Sequence, residues 1–185
     1  MKTEYYGPVW LGNNERLSIE DGEVLMISFF SQRYRADVIN PETDQRHGSF
    51  YTTATGDSSN EYNSLKDLVF VGPAELEADD ESCVVGHEIT DLGSYDTVCE
   101  YLDGNDDESV FVPDGEVWHV AAYCWDYPDA LRMYNPDGDH RVAVTGTAQT
   151  DVPGYDNHGL YTFVGPMELE AYLSEVAIMG FKETI

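Results

Sequence analysis

Phe70-Val71-Gly72-Pro73-Ala74-Glu75-Leu76-Glu77-Ala78 returns ninety-three residues later as Phe163-Val164-Gly165-Pro166-Met167-Glu168-Leu169-Glu170-Ala171, with Met167 in place of Ala74 as the one difference. Chance does not readily produce such a match, and self-similarity at this range marks tandem copies of one folding unit. Working outward, Asp21-Gly22-Glu23-Val24 recurs at the same offset as Asp114-Gly115-Glu116-Val117. Asn40-Pro41-Glu42-Thr43-Asp44-Gln45-Arg46 recurs as Asn135-Pro136-Asp137-Gly138-Asp139-His140-Arg141 two residues further on, as insertions confined to loops would produce. The copies span about 15–80 and 108–178. The expected organisation is a first repeat with an N-terminal strand at 1–80, an acidic connecting segment at 81–107, and a second repeat at 108–185.

Each copy reads as a run of short strands. Leu17 and Ile19 alternate with polar neighbours before Asp21-Gly22, and Val110 and Val112 do so before Asp114-Gly115; an Asp-Gly pair between such runs is a hairpin signal. Val24–Phe30 and Val117–Cys124 are almost continuously apolar, the pattern of central strands covered on both faces. The Asn-Pro turns predict a second hairpin, flanked by Val38-Ile39 and Phe50-Tyr51 in one copy and by Leu131, Met133, Val142 and Val144 in the other. Polar loops at 55–64 and 150–159 lead to strands at 68–71 and 160–164. The Gly-Pro pair then predicts a helix start, with Pro73 and Pro166 in the first turn and Glu75, Glu77, Glu168 and Glu170 near the positive end of the helix dipole. Leu169, Tyr172, Leu173 and Val176 fall on one face of a longer C-terminal helix that Gly180 would end, and Ser94 is a candidate cap for a short helix in the connecting segment. The fold class expected is α+β and strand-rich: two tandem copies of about five antiparallel strands, as a curved sheet or small SH3-like barrel, each followed by a short helix.

Thirty-six Asp and Glu against nine Lys and Arg give the 185 residues a formal charge of -27. The 42% hydrophobic and 12% aromatic content is ample for a packed core, so this is not a disordered acidic tail. No stretch approaches the roughly 18 apolar residues of a membrane span. The start, Met1-Lys2-Thr3-Glu4, lacks the pattern of a secretory signal, and a cytoplasmic protein is expected, in the host cytoplasm if phage-encoded. Cys83, Cys99 and Cys124 are odd in number and irregularly spaced, which favours reduced thiols over a disulfide framework.

Such an excess of carboxylates makes any pair at catalytic spacing uninformative. Asp103-x-Asn105-x-Asp107 and Asp137-x-Asp139 echo calcium loops but lack the required Gly and distal Glu, and Cys83, His87, Cys99, His119 and Cys124 lack the short spacing of a zinc knuckle. His119 and Cys124, five residues apart on one strand, point to opposite faces and cannot form a nucleophile and base. Phosphate-cradling loops are absent. No catalytic residue, metal or cofactor is expected.

The remaining candidates are acidic clusters for binding a partner: Glu75, Glu77, Asp79, Asp80 and Glu81 in the first copy; Asp103, Asp106, Asp107 and Glu108 in the connecting segment; and Asp126, Asp129, Asp137 and Asp139 in the second copy. A polyanion repels nucleic acid and acidic lipid and attracts basic proteins. The function expected is an acidic, DNA-mimic type inhibitor occupying the basic nucleic-acid-binding surface of a nuclease, restriction enzyme or CRISPR effector, as a monomer or homodimer. Duplex DNA carries one charge per ~1.7 Å, so this chain's charge matches about 13 base pairs, or ~45 Å. In composition and size the chain resembles phage and plasmid anti-defence proteins that mimic DNA, and acidic immunity proteins that neutralise nuclease toxins; that resemblance rests on charge and carries over no functional residue. The alternatives are a halophile's ordinary protein, acidic for solubility in molar salt and consistent with three Lys against six Arg, or a metal-dependent enzyme on a β-rich scaffold.

Overall fold

In the computed structural model, which describes residues 2–31, 35–51, 64–79, 81–125, 131–138, 141–144 and 160–185, every regular element is a strand. The first half holds β1 (Lys2–Leu11), β2 (Arg16–Ile19), β3 (Val24–Ser31), β4 (Arg35–Asn40), β5 (Gln45–Tyr51), β6 (Ser64–Val71), β7 (Ala74–Ala78) and β8 (Ser82–Asp91). The second half repeats the series as β9 (Asp96–Leu102), β10 (Ser109–Val112), β11 (Glu116–Cys124), β12 (Leu131–Tyr134), β13 (Arg141–Val144), β14 (Tyr161–Val164), β15 (Met167–Ala171) and β16 (Val176–Thr184).

The strands form two four-stranded sheets per half, in the order β1-β8-β3-β6 and β2-β7-β4-β5, then β9-β16-β11-β14 and β10-β15-β12-β13. All the strand pairings are antiparallel. Adding eight to each strand number of the first half reproduces the second. In each half, first and last strands pair, the third lies beside the last, and the chain switches sheets at nearly every connection. This is the two-sheet jelly-roll topology, and the chain is a tandem pair of them. Residues 81–107, read as a connecting segment, carry the last strand of one copy and the first strand of the next.

The expected α+β class is therefore wrong: the fold is all sheet, with eight strands per copy and no helix among the described residues. Ala74, Leu76 and Ala78 are buried while Glu75 and Glu77 face outward, a period of two that belongs to a strand. Five residues are also too few for a helix to stand on, and β7 finds partners on both sides in β2 and β4. The run Val176–Phe181 is buried throughout because β16 is covered on both faces, and this continuity reads as a helix when periodicity alone is consulted. Gly180 lies within that strand, paired with Val120 and Val98, and stops nothing. Ser94 sits in the connection before β9 and caps no helix.

The hairpins expected at the Asp-Gly turns are absent: Gly22 and Gly115 have φ of 80° and 82°, but the turns join strands of different sheets. The reason for the long repeat lies here. Gly72 donates its N–H to the Glu23 carbonyl and Gly165 to that of Glu116, each at 3.0 Å, and a side chain at either glycine would run into the carbonyl of Glu20 or Pro113. The two repeated motifs are thus the two sides of one contact. The Asn-Pro turns do close hairpins, with Ile39 opposite Arg46 and Leu131 opposite Val144. Strands β3 and β11 are central, as read. The polar loops expected at 55–64 and 150–159 lie outside the described residues, apart from Ser64, which opens β6.

Leu17, Ile19, Leu25, Ile27, Val38, Phe70 and Leu76 fill the first sandwich, and Val112, Trp118, Val120, Leu131, Phe163, Leu169 and Ile178 the second. The first core does not end at its own copy. Tyr123, Ala177, Met179 and Phe181 join it, so the outer face of the β9-β16-β11-β14 sheet lies against the β5 and β6 side of the first sandwich. The stacked pair Phe70–Tyr123, 4.9 Å between centroids, and the hydrogen bond from Tyr123 Oη to the Val69 carbonyl at 2.7 Å fasten the two copies.

Candidate interaction surface

The outward face of the β2-β7-β4-β5 sheet shows how the fold treats its scarce cations. Cross-strand register places Arg16 beside Glu77, with Glu75 two residues away on the same face. Arg16 reaches Asp44 at 2.6 Å, Glu75 at 2.8 Å and Glu77 at 2.7 Å, while Arg46 reaches Glu77 at 3.0 Å and the buried Asp37 at 3.3 Å. Burial works against the Glu77 charge, and the hydrogen bonds from Arg16 and Arg46 outweigh it, holding this carboxyl below the usual range. Arg46 also lies over the ring of Trp125 in the second copy, 5.3 Å from its centroid. In the second copy Lys182 pairs with Glu116 at 3.3 Å, and Arg132 lies on the ring of Tyr172. These cations are held by the protein's own side chains.

Glu75 and Glu77 are therefore half-buried members of an internal ion network. The other acidic candidates among the described residues lie in turns. Asp79 and Glu81 are exposed at the β7–β8 turn. There the Asn14 N–H donates to the Ala78 carbonyl and the Ala78 N–H to that of Glu15, which brings the exposed Glu15 of the β1–β2 turn to the same corner. The second copy builds the same corner: Ala171 donates to the Glu108 carbonyl and Leu173 to that of Gly104. Asp106, Asp107 and Glu108 are exposed there, Asp103 is half-buried, and Glu175 comes within 3.4 Å of Asn105. Asp103 and Glu108 also shape this turn, Asp103 Oδ1 accepting from Asn105 and Glu108 Oε2 from the Asp103 N–H.

Asp137 stands apart. Strands β10 and β12 both run antiparallel to β15, so the β12–β13 turn that carries Asp137 lies at the opposite end of the sandwich from the β9–β10 turn. Asp80, Asp126, Asp129 and Asp139 lie outside the described residues. Sequence reasoning missed Glu15 and Glu175, which complete the two corners, since they lie far from the clusters along the chain. It also missed a second acidic end in the first copy, where exposed Glu20, Asp21, Glu42 and Asp44 occupy the β2–β3 and β4–β5 turns. Only the topology brings such turns to one end.

Among the described residues no three His, Cys, Asp or Glu side chains stand together as metal ligands, and Cys83, Cys99 and Cys124 form no disulfide. No helix among them is long and apolar enough to cross a membrane. No protein-family model matches the chain, and no curated protein sequence does. Among solved structures the chain is similar to a Paenibacillus xanthan lyase at 10% identity and a TM-score of 0.21. That alignment covers 96% of this chain and spans a quarter of the lyase, 25% of its length. A likeness this weak carries no argument about fold or activity.

Proposed function

We propose that this chain is an acidic binding protein that occupies the basic, nucleic-acid-binding surface of a cytoplasmic partner such as a nuclease, restriction enzyme or CRISPR effector, and inhibits it by presenting carboxylates where that partner expects phosphates. The observation that supports this is the repetition of an exposed acidic corner, Glu15 with Asp79 and Glu81 in one jelly roll and Asp106, Asp107 and Glu108 in the next. The cations Arg16, Arg46 and Lys182 are already taken by other carboxylates, which leaves these corners their charge. Their encounter with Lys and Arg of a target is fast and salt-sensitive.

One feature favours a second reading, an acidity that serves solubility in concentrated salt. Exposed carboxylates also occupy the opposite ends of both sandwiches, at Glu20, Asp21, Glu42, Asp114 and Asp137, and the β1 strand at Glu4, so the charge is not confined to one side. Two measurements separate the readings. Circular dichroism at about 0.1 M and about 2 M salt, where the Debye length falls from ~10 Å to below 3 Å, asks whether the fold needs screening. Displacement of a fluorescent duplex of about 13 base pairs from a restriction enzyme, a nuclease toxin and a Cas effector asks whether the protein competes with DNA. A chain unfolded at the lower salt, or one that displaces the duplex from none of them, sinks the inhibitor reading.

A further inference from the structure

The interface between the two copies is a template for a second one that the chain leaves open. On the second copy, the outer face of the β9-β16-β11-β14 sheet presents Cys99, Tyr101, Ala121, Tyr123, Ala177, Met179 and Phe181 to the first copy. Tyr101 Oη donates to the Pro73 carbonyl at 3.0 Å, beside Tyr123 on the Val69 carbonyl. The receiving side of the first copy includes Phe70 and Val71, both fully buried.

Register shows which residues stand at the same places on the first copy. Tyr101 pairs with Ala177 and Ala177 with Tyr123; in the first copy Trp10 pairs with Cys83 and Cys83 with Phe30. Trp10 thus takes the place of Tyr101 and Cys83 that of Ala177. In the same way Val85 takes the place of Met179, and His87 that of Phe181. Among the described residues nothing covers this face: Trp10 is 75% and Tyr5 92% exposed, with Met26, Cys83 and Val85 partly exposed between them. Among the described residues, the receiving side of the second copy is open too. Val164, at the position of Val71, is 50% exposed where Val71 is at 0%, and Leu160 beside it is 44% exposed. Pro166, the counterpart of Pro73, is also exposed.

We propose that the chain self-associates head to tail, the Trp10 face of one molecule packing on the Val164 end of the second copy of another, in the same head-to-tail order that joins the two copies within one chain. The occupant is a second copy of this protein because the open face and the open end are the two halves of an interface that the molecule already makes once. Trp10 fills the role of Tyr101. Such a contact is heterologous, so it propagates into a ring or a filament and does not stop at a two-fold dimer. The charge of -27 opposes association, and the contact surfaces are largely apolar, so salt strengthens the assembly by screening repulsion. Binding to a basic partner has the opposite salt dependence, so the two proposals stand or fall separately.

Sedimentation equilibrium of the full chain at about 0.1 M and about 2 M salt tests this. The average mass is expected to climb above the 20.7 kDa monomer with concentration, more steeply at high salt. Trp10→Glu and Val164→Glu, both at exposed positions, each weaken the association by more than about tenfold, as loss of a central anchor does. An equimolar mixture of the two variants forms dimers and nothing larger, since each retains one working surface. Labelling of Cys83 by a thiol reagent slows as the assembly grows. A wild-type chain that stays monomeric at every concentration and salt overturns the proposal, as do variants that associate like the wild type or a mixture that forms no dimer.

Discussion

Tyr123 is the residue on which the union of the two jelly rolls turns, and replacing it tests whether they fold as one unit. Its side chain is fully buried, its ring is stacked 12° from parallel on Phe70, and its hydroxyl donates to the Val69 carbonyl at 2.7 Å. Tyr123→Phe keeps the stack and strands that carbonyl in the interior, a loss of about 1–3 kcal/mol. Tyr123→Ala removes the ring as well and costs about 3–5 kcal/mol, which at ~2–4 °C per kcal/mol lowers Tm by roughly 10 °C. Gly48→Ala attacks the same contact from the other side, because a Cβ there would overlap that of Tyr123. The assay is urea unfolding at fixed salt, followed by tyrosine and tryptophan fluorescence and by circular dichroism. Wild type is expected to unfold in one transition, and Tyr123→Ala in two as the copies uncouple. If Tyr123→Ala costs less than about 1 kcal/mol and leaves a single transition, the packing of the second copy on the first is not what holds them together.

The buried His47, edge-on to Tyr101 with ring centroids 4.9 Å apart, lies in the same interface. Burial holds its imidazole below the ordinary 6.5, against the pull of the Leu102 carbonyl and the Glu175, Asp103 and Glu108 carboxylates. Its native state resists the proton, so stability is lost as pH falls below 6.5, and a His47→Leu variant measured over the same range should lack that component. Arg16→Met leaves Asp44, Glu75 and Glu77 crowded, and at about 0.2–1 kcal/mol per exposed pair it should destabilise the fold measurably at 0.1 M salt and much less at 2 M, a contrast that urea titration resolves. Burial pushes the Cys99 thiol up to about 12, and Cys124 is enclosed in the second core, so at pH 8 a thiol reagent should label Cys83 first and reach the other two at the rate of unfolding. Rapid labelling of Cys99 in the native protein would contradict its placement beneath the Pro73 carbonyl.

Much of the fold was legible where local pattern and turn chemistry agree. The Asn40-Pro41 hairpin, the positive φ at Gly22 and Gly115, and the central position of β3 and β11 follow from residues close together in the chain. The Gly-Pro motif misled because Pro followed by Glu is also helix-start chemistry, and the alternation Ala74-Glu75-Leu76-Glu77-Ala78 that contradicts it is only five residues long. Of the acidic candidates, Asp79, Glu81, Asp106, Asp107, Glu108 and Asp137 are exposed in turns, while Glu75 and Glu77 were drawn into pairs with Arg16, sixty residues away, and with Arg46. Charge alone cannot foresee that, since ion pairs across strands depend on register.

The duplication, the strand-rich character, most of the turns and the excess of negative charge were determined by the sequence by itself, because each is a property of near neighbours or of composition. Tertiary structure alone decided that each copy has eight strands in two sheets, that Asp-Gly turns cross between those sheets, and that Val176–Phe181 is a strand covered on both faces. The physical reason is that a strand's hydrogen-bond partners are remote: β1 pairs with β8 and not with β2, and Tyr123 finds its acceptor in Val69 of the other copy. The same remoteness makes Tyr101 an interface residue while Trp10, at the matching place, stands open to solvent.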